Sequence, residues 1–325
     1  MEICEATESD IPEIVNLLKV SLGESLMPKS EHYWRWKHLE NPFGTSPVLL
    51  CREGKELIGV RAFMRWEWVY QGQIYQALRA VDTATHPDHQ GKGIFKKLTL
   101  ALADQCTKGG DHFIFNTPNK QSKPGYLKMG WEEVARLPIR ISIHKPFGMV
   151  MNFISTVPNE IEIESKSSSY YLGHARLSDL IKDHHRQMKK MTTRTSVPYL
   201  VWRYMRVPVA SYVAIGEEKG AELTGLIIGR IKETRFGREL RITDHFLNEN
   251  SNGRELMQNV KGKIKEWNID FTTLTGTASP YTQKLLQFKV KAGPMVTIRS
   301  LSMLDLQMLR EFNQWSPSLG DLELF

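Results

Sequence analysis

The sequence predicts an α+β (α/β) protein of two tandem domains, each a mixed, mostly antiparallel sheet flanked by helices. Three observations support this fold class. A strand, a glycine-containing turn and a helix start follow one another between Val81 and Leu98; a meander of strands leads into that turn; and spaced motifs of the first half recur in the second. The chain has 325 residues, of which 41% are apolar, and this is enough for two ordinary hydrophobic cores.

The first elements are predicted from helical spacing and turn residues. Apolar residues at 11, 14, 15, 17 and 18, with Pro12 in the first turn, predict a helix from Glu8 to Val20. A second helix is predicted from Lys29 to Leu39, because Pro42 follows and disfavours continuation. Strands are predicted at 48–52, 57–68 and 73–84, separated by glycine-containing turns.

The turn after the third strand has the features of an anion site. The polar residues 88–90 lead to Gly91 and Gly93, where a helical pattern begins. The first N–H groups of a helix lack intrahelical acceptors, and glycine lets a diphosphate approach the backbone closely. Lys92, Lys96 and Lys97 add positive charge. The spacing is neither G-x-x-x-x-G-K-[ST] nor G-x-G-x-x-G.

This turn resembles the coenzyme A pyrophosphate loop of the GNAT superfamily of N-acetyltransferases, whose pattern is Q/R-x-x-G-x-G/A. Gln90 and Gly93 match it, whereas Phe95 departs from it at the last position and puts the tightness of the turn in question. The resemblance implies acetyl-CoA as acyl donor. The loop residues it implies as coenzyme contacts are Gln90, Gly91, Lys92, Gly93, Ile94 and Phe95.

A second motif of the same superfamily follows one strand later. After the predicted strand 111–117, residues Asn119, Ser122, Tyr126, Gly130 and Trp131 fall on its positions. The resemblance implies that Tyr126 is the general acid, and a phenol is suited to giving a proton to a leaving thiolate. Asn119 and Ser122 are expected to be coenzyme contacts or helix caps.

The resemblance also implies direct transfer of an acyl group from the thioester to an amine. The strand before the loop would splay from its neighbour, so that Thr83, Ala84 and Thr85 bind the pantetheine arm as if it were another strand. Asp82 is the first candidate for the base, with pairing to Arg79 or capping as the structural alternative. The other candidates are His86 and, as in some tandem relatives, the chain-terminal carboxylate, here that of Phe325.

Three spaced motifs of the first half recur in the second half in the same order. They are Tyr-x-x-Trp-[Lys/Arg]-x4-Pro, Glu-Leu-x-Gly and Leu-Arg-x-x-Asp. Two recur after 166 residues (199 − 33 and 222 − 56) and the third after 162 (240 − 78), as a slightly shortened hairpin would give. We infer two copies of one fold. The motifs begin at Tyr33 and Tyr199, at Glu56 and Glu222, and at Leu78 and Leu240.

The second copy is predicted to lack the coenzyme site. Its segment 248–255 has one glycine, added acids and no Gln-x-x-Gly, and Gln283 stands where the counterpart of Tyr126 is expected. The predicted divisions are a catalytic domain at 1–148, a connection at 149–168, a degenerate copy at 169–300 and a helix with tail at 301–325.

Composition limits the remaining classes. No run of eighteen apolar residues and no leader-like amino terminus is present, which predicts a cytoplasmic protein without membrane contact. Three separated cysteines indicate neither a disulfide framework nor a zinc site, and no metal is predicted. The net charge of +7 suits a phosphate-bearing partner; nucleic acid is disfavoured because no basic helix or aromatic stacking motif is present.

The leading hypothesis is therefore an acetyl-CoA-dependent N-acetyltransferase acting on a small-molecule amine, with a nucleotide-linked amino sugar as one candidate. The tail Trp315-x4-Gly320-Asp321 is similar to tails of tandem acetyltransferases of bacterial surface-polysaccharide synthesis. Two alternatives stay open at this point: a tRNA-dependent aminoacyl-transferase of Fem-like type and a non-catalytic acyl-CoA-binding scaffold. A homo-oligomer also stays open.

Overall fold

The computed structural model describes residues 1–23, 28–146, 166–275, 287–290, 293–303 and 307–322. The first half contains β1 (Glu2–Glu5), α1 (Ile11–Leu22), α2 (Glu31–His38), β2 (Val48–Glu53), β3 (Glu56–Tyr70), β4 (Gln73–Thr85), α3 (Ile94–Lys108), β5 (Phe113–Asn116), α4 (Lys123–Lys128), β6 (Glu132–Arg136) and β7 (Ile139–Ile143). The second half contains α5 (Lys166–Leu172), α6 (Leu177–Gln187), β8 (Thr192–Thr193), α7 (Val197–Leu200), β9 (Val213–Lys219), β10 (Glu222–Thr234), β11 (Gly237–Leu247), α8 (Arg254–Glu266), β12 (Phe271–Thr275), β13 (Gln287–Val290), β14 (Met295–Ser300), α9 (Gln307–Arg310) and α10 (Leu319–Leu322).

These elements form two sheets with helices against their faces, and the predicted fold class is confirmed. The first sheet has the order β1-β2-β3-β4-β5-β14-β6, with β8 paired to β3, and the second has the order β13-β7-β12-β11-β10-β9. In each sheet one internal pair is parallel, β4 with β5 and β11 with β12. The long hairpins β3–β4 and β10–β11 form the two most extensive antiparallel pairings among the described strands.

Helices α1 and α3 pack on opposite faces of the first sheet. Ile14 and Leu18 of α1 join one hydrophobic cluster, and Leu98 and Leu102 of α3 join another. Gly59 on β3 permits the close approach of α3, because a Cβ built there would lie 2.6 Å from Cγ2 of Ile94. The glycine of the Glu-Leu-x-Gly motif therefore has a packing role.

The two halves exchange one strand each. β14, from the end of the chain, lies between β5 and β6, where Thr297 pairs with Asn116. β7, from the first half, lies between β12 and β13, where Ile143 pairs with Phe271. The predicted divisions of the chain stay a prediction, but each sheet draws a strand from across them.

The second sheet repeats the arrangement of the first. The parallel pairing ends at Arg79 in β4 and at Arg241 in β11, and each strand then continues for six residues. Gly225 has the role of Gly59, because a Cβ there would lie 3.0 Å from Cδ2 of Leu256 in α8. The motif spacing seen in the sequence therefore coincides with equivalent positions in the two sheets.

Parts of the predicted connection and tail lie outside the described residues. The predicted connection at 149–168 is described only from residue 166, where α5 begins. Of the predicted terminal helix at 301–312, α9 covers Gln307–Arg310, and residues 304–306 are not described. Within the described ranges, every helix is too short or too polar to span a lipid bilayer.

Trp36 and Trp202, 166 residues apart, join the two halves through a reciprocal contact. Nε1 of Trp36 donates to the carbonyl oxygen of Trp202, and Nε1 of Trp202 donates to the carbonyl oxygen of Trp36, each at 2.8 Å. The two rings are stacked, with centroids 4.6 Å apart. Both side chains lie in the largest hydrophobic cluster, which contains residues of both halves. Residues at the same position of the recurring Tyr-x-x-Trp motif thus meet each other where the two halves are in contact.

Replacing either tryptophan with phenylalanine should destabilise the protein, because each change leaves a buried carbonyl group without its donor. The expected loss in the free energy of unfolding is about 1–3 kcal/mol for Trp36→Phe and for Trp202→Phe. Because the two residues are in contact, the loss in the double variant should differ from the sum of the two single losses. Urea unfolding measures both. Trp267→Phe, at the partly exposed end of α8, is the control and should change stability by less than about 0.5 kcal/mol. Additive losses in the double variant would contradict the reciprocal coupling.

Candidate active site

A cleft opens where β4 and β5 separate. Their parallel pairing covers only three positions and ends at Arg79 and Phe115. β4 continues to Thr85 along β3, so its other edge, from residue 80 onward, faces a pocket of about 870 Å³. The predicted splaying of this strand is therefore present. The pocket is lined by residues 79–85, by His89, Gln90, Gly91, Gly93, Ile94, Phe95 and Lys96, by residues 116–119, and by Gln121, Ser122, Gly125 and Tyr126, with Ser21 and Leu22 at one side.

The predicted pyrophosphate loop lies at one end of this pocket. Gly93 caps α3 in the left-handed region, at φ 76°, and its carbonyl oxygen accepts the first intrahelical bond, from the amide of Lys97. The amides of Ile94, Phe95 and Lys96 precede that bond and have no intrahelical acceptor. A Cβ built at Gly91 or Gly93 would meet no atom within 4 Å, so the loop faces open space.

Most of the predicted coenzyme contacts line the pocket. Thr83, Ala84, Thr85, Gln90, Gly91, Gly93, Ile94, Phe95, Asn119 and Ser122 do so. Lys92 does not: its Nζ lies 3.2 Å from Nδ1 of His89, beside the loop. The expected contact between Lys92 and the coenzyme stays a prediction. Lys96, for which the sequence predicts only an added positive charge, lines the pocket directly.

Phe95 stands at the position where the loop pattern has a small residue, and the structure shows how it is accommodated. A Cβ built at Gly125 in α4 would lie 3.1 Å from Cε1 of Phe95, so the glycine leaves room for the ring. Phe95 also packs edge-on against Tyr126, with ring centroids 5.5 Å apart. The phenylalanine in place of a small residue therefore enlarges the contact between the loop and α4 and leaves the turn intact.

Asn119 and Ser122 organise the turn that leads into α4. Oδ1 of Asn119 accepts from the amides of Gln121 and Ser122 at 3.0 and 2.8 Å, and from the Ser122 hydroxyl at 2.9 Å. These bonds fix the turn before α4, whereas Ser122, the N-cap of α4, makes no side-chain cap hydrogen bond. Both side chains also line the pocket, and their role as coenzyme contacts stays a prediction.

Tyr126 of α4 lines the pocket and packs against Phe95 of the loop. Its side chain is 3% exposed and is held between Phe95 and Trp131, whose ring centroid is 5.1 Å from that of Tyr126. Its hydroxyl neither donates nor accepts a hydrogen bond within the described part of the chain. A ring held by two aromatic contacts, with a hydroxyl that has no partner among the described residues, suits proton donation to a ligand.

Asp82 occupies a bulge in β4. Arg61 of β3 pairs with Thr83 and Ala62 pairs with Val81, so Asp82 is the extra residue, with φ at 30°. Its Oδ2 accepts from Nζ of Lys37 at 2.7 Å and lies 2.9 Å from Nε2 of His38. A non-glycine residue at positive φ is strained, and this pairing with α2 holds it in place.

The same pairing argues against Asp82 as the base. Although burial alone would raise the pKa of the Asp82 carboxyl, the Lys37 charge and the hydrogen bond from His38 hold it well below its usual range. A carboxylate of such low basicity takes a proton from an amine poorly. Its partners are Lys37 and His38, not the Arg79 considered as its structural alternative. Arg79 instead donates to the backbone carbonyl of Asp321.

Of the other two base candidates, His86 lies outside the pocket lining, and the role of the Phe325 carboxylate stays a prediction. Nδ1 of His86 accepts from the amide of Asp88 at 3.4 Å. Phe325 lies outside the described residues. His38 is 1% exposed, and burial lowers its pKa, which keeps it neutral beside Asp82.

The helix start of the second half is filled by a side chain of the protein itself. Gly253 caps α8 in the left-handed region, at φ 64°, as Gly93 caps α3. Glu217 of β9, 1% exposed, accepts from the amide of Leu256 at 3.1 Å and from the Ser251 hydroxyl at 2.9 Å. The equivalent residue of the first half is Cys51, because Gly225 pairs with Glu217 as Gly59 pairs with Cys51. A buried carboxylate there excludes a diphosphate.

The counterpart of Asp82 in the second half is also enclosed by protein. Asp244 accepts from the hydroxyl of Tyr204, the residue equivalent to His38. Burial, together with the neighbouring carboxyl of Asp321, raises the pKa of Asp244 to about 7. Residues 316–318 and Asp321 from the chain end line this region and leave a cavity of only about 30 Å³. Gln283, predicted as the counterpart of Tyr126, lies outside the described residues.

One group of side chains has the composition of a metal site. Among the described residues, ligand atoms of Glu56, His86 and His89 lie within 4.8 Å of one another. The Lys92 ammonium group beside His89 disfavours a cation there. That the protein needs no metal stays a prediction.

Comparisons with known proteins show which proteins the half that contains this cleft and loop is similar to. Residues 2–134, in the first half, match the family model of the acetyltransferase (GNAT) domain. The chain is also similar to the L-amino acid N-acyltransferase MnaT of Escherichia coli (strain K12), with 30% identity over 95 residues, covering 28% of this chain and 54% of that protein. The chain thus spans about half the length of the curated relative that it matches.

Solved structures extend the likeness of fold to both halves. A GCN5-related N-acetyltransferase from Anabaena variabilis ATCC 29413 matches with a TM-score of 0.65 at 15% identity, covering 93% of this chain and 73% of that one. A conserved protein of unknown function from Enterococcus faecalis V583, described as a probable N-acyltransferase, matches with a TM-score of 0.66 at 11% identity, covering 95% and 74%. At these identities the matches establish the fold.

Asp82→Asn should destabilise the protein, because it leaves the buried Lys37 ammonium group without its counter-charge. We expect a loss of about 3 kcal/mol at pH 7 by urea unfolding, largely restored in the double variant Lys37→Met/Asp82→Asn. The folded-state pKa of Asp82 is lowered, so its contribution is present above the unfolded value of 3.8 and is lost as pH falls through the folded value. The difference between wild type and Asp82→Asn should therefore shrink below about pH 4. An equally stable Asp82→Asn variant at pH 7 would contradict the assigned pairing.

Proposed function

We propose that the protein is an acetyl-CoA-dependent N-acetyltransferase that transfers an acyl group directly from the thioester to a primary amine. The observation that carries the proposal is one continuous pocket that joins the open amides at the start of α3, the free edge of β4 and Tyr126. The pocket thus contains the three features that acyl transfer from coenzyme A needs, namely an anion site, a strand edge and a proton donor.

The coenzyme would bind along this pocket from the loop toward α4. Its diphosphate would accept hydrogen bonds from the amides at residues 91–95, at the positive end of the α3 dipole, with Lys96 beside it. The amide groups of pantetheine would pair with the free edge of β4 at residues 83–85, as an added strand does. The thioester would then lie at the end of the pocket that contains Tyr126.

The reaction follows from this placement. The neutral amine attacks the thioester carbonyl carbon, the carbonyl oxygen gains the charge, and the carbon–sulfur bond breaks as the tetrahedral intermediate collapses. Tyr126 donates its hydroxyl proton to the leaving thiolate. Asp82 stays ionised and, at the pocket wall, attracts and orients the amine, whose excess proton passes to water.

The second half would serve as a scaffold. We propose that it is a second copy of the domain that has lost its coenzyme site, because Glu217 occupies the helix start and the chain end fills the region of Asp244. The open loop of the first half also argues against a tRNA-dependent aminoacyl-transferase of Fem-like type. The amides of that loop face open space instead of a protein carboxylate.

The acceptor is proposed as a small-molecule amine. An L-amino acid is one candidate class, from the name of the curated relative, and a nucleotide-linked amino sugar is the other. A panel of glucosamine, its nucleotide-linked form, the L-amino acids and hydroxylamine, assayed by release of the coenzyme thiol, separates these classes. Cytoplasmic location, oligomeric state and a part in surface-polysaccharide synthesis stay predictions.

Lys96→Glu should weaken coenzyme A binding about tenfold or more, because it places a negative charge beside the diphosphate at the start of α3. Isothermal titration calorimetry with coenzyme A measures the change. Lys108→Glu is the matched control, an exposed lysine in the last turn of the same helix, and should change the Kd by less than about twofold. Equal effects of the two variants would mean that the diphosphate does not bind at the helix start.

Tyr126→Phe should lower kcat by about 10²-fold, because the leaving thiolate loses its proton donor, while the Kd of coenzyme A changes little. The assay uses acetyl-CoA with the fastest acceptor of the amine panel, and calorimetry gives the Kd. Tyr75→Phe, a partly exposed tyrosine outside the pocket, is the control. Unchanged turnover in Tyr126→Phe would remove this residue from the mechanism.

A further inference from the structure

Arg61 of β3 is a fully buried cation that has no hydrogen-bond partner among the described residues. Its side chain is 0% exposed, and within the described part of the chain none of its three guanidinium nitrogen atoms has a hydrogen-bond partner. Arg203, also 0% exposed, donates instead to the carbonyl oxygen of Gly320 and to the hydroxyl of Tyr212. Burying a charge without a partner is expensive, so the environment of Arg61 requires a reason.

Three aromatic rings surround the Arg61 guanidinium group. Its central carbon lies 4.7 Å from the ring centroid of Phe63, 5.4 Å from that of Tyr126 and 5.8 Å from that of Phe95. The faces of aromatic rings attract a cation and offset part of its desolvation. Two of these rings, Phe95 and Tyr126, line the coenzyme pocket, whereas Arg61 itself does not. Arg61 therefore lies behind the pocket wall and can act on a ligand only through those rings.

The second half shows that the fold does not need a cation at this position. Arg61 pairs with Thr83 in the first sheet, and Ile227 pairs with His245 at the equivalent place in the second. Ile227 is buried in the cluster beneath α8, as Arg61 is buried beneath α3. An aliphatic side chain satisfies the packing there. The arginine is thus found in the half that has Tyr126 and an open loop.

We propose that Arg61 is a positioning residue that stabilises the phenolate of Tyr126 formed during acyl transfer. The proposal rests on the proposed function. When Tyr126 gives its hydroxyl proton to the coenzyme thiolate, the O–H bond breaks, an S–H bond forms and a negative charge is left on the phenolate. The central carbon of the buried guanidinium group lies 5.4 Å from the centroid of the ring that carries this new charge, in a region of low dielectric constant, where attraction between opposite charges is strong. The phenol is restored when it takes up a proton from water.

The proposal explains the absence of a fixed partner. A carboxylate or carbonyl group bonded to Arg61 would neutralise its field before the reaction, whereas rings of Phe63 and Phe95 hold the cation in place without adding a counter-charge. The charge is thus arranged in advance of the step that needs it, and no reorganisation is required when the phenolate forms.

A double-mutant cycle tests this role. The proteins are wild type, Arg61→Met, Tyr126→Phe and the double variant, assayed with acetyl-CoA and the fastest acceptor of the amine panel. Arg61→Met should lower kcat about 10-fold or more while the Kd of coenzyme A, from calorimetry, changes less than about twofold. In the Tyr126→Phe background the same change should alter kcat by less than about twofold, because no phenolate forms there.

Urea unfolding of the four proteins shows whether Arg61 has a structural role, and Arg61→Met is expected to fold because apolar replacement of a buried charge is often tolerated. Arg61→Ile, which copies the second half, is the second variant if methionine fails to fold. Equal losses of kcat in both backgrounds, or no loss in Arg61→Met, would overturn the role of Arg61. Full turnover in Tyr126→Phe would overturn both the proposed acid and the role of Arg61, whereas loss of turnover in Tyr126→Phe alone would leave the proposed function standing.

Discussion

The bond between Lys37 and Asp82 is the interaction on which the candidate site depends. It fixes the bulge in β4, where Asp82 adopts a positive φ that an isolated strand would avoid. Three residues before the bulge, β4 loses its pairing with β5, and the free edge that remains is one wall of the pocket. A bulge increases local twist, so a stable bulge favours the separation of the two strands. The charge pair with α2 therefore supports a binding surface on β4.

The two halves have similar arrangements of strands but differ at the start of the helix that follows the long hairpin. Both have a long hairpin, a parallel pair that ends early, and a helix that begins at a glycine in the left-handed region. They differ at single buried positions. Cys51 leaves the helix start open, whereas Glu217 fills it; Arg61 places a charge behind the pocket wall, whereas Ile227 supplies only packing. Exchange of β7 and β14 and the Trp36–Trp202 contact keep the two halves together.

The sequence predicted the features that depend on contiguous residues. The loop at Gln90–Phe95, the turn before Tyr126 and the meander leading to them are encoded by glycine, proline and apolar spacing within short segments. The partners of Asp82 were missed because Lys37 and His38 are more than forty positions away, and no local pattern joins them. The strand exchange was missed because the alternation at 139–143 and 295–300 suits either sheet.

Two functional candidates that the sequence analysis missed, Arg61 and Glu217, are nevertheless unusual residues for their positions in the sequence. Arg61 interrupts the apolar run of β3, and Glu217 ends the apolar run of β9; charged residues rarely occur within buried strands. When the second half is aligned with the first at a separation of 166 residues, Glu217 aligns with Cys51 and Ile227 aligns with Arg61. What this alignment could not give is the partner of each charge, because that depends on how helix and sheet pack in three dimensions.

A crystal structure of the protein with coenzyme A tests the central claim most directly. The account predicts the diphosphate within hydrogen-bond distance of the amides at residues 91–95, the pantetheine arm paired with the free edge of β4, and the sulfur atom next to the hydroxyl of Tyr126. Coenzyme A bound elsewhere, or a β4 edge that stays unoccupied in crystals containing a bound coenzyme, would contradict it.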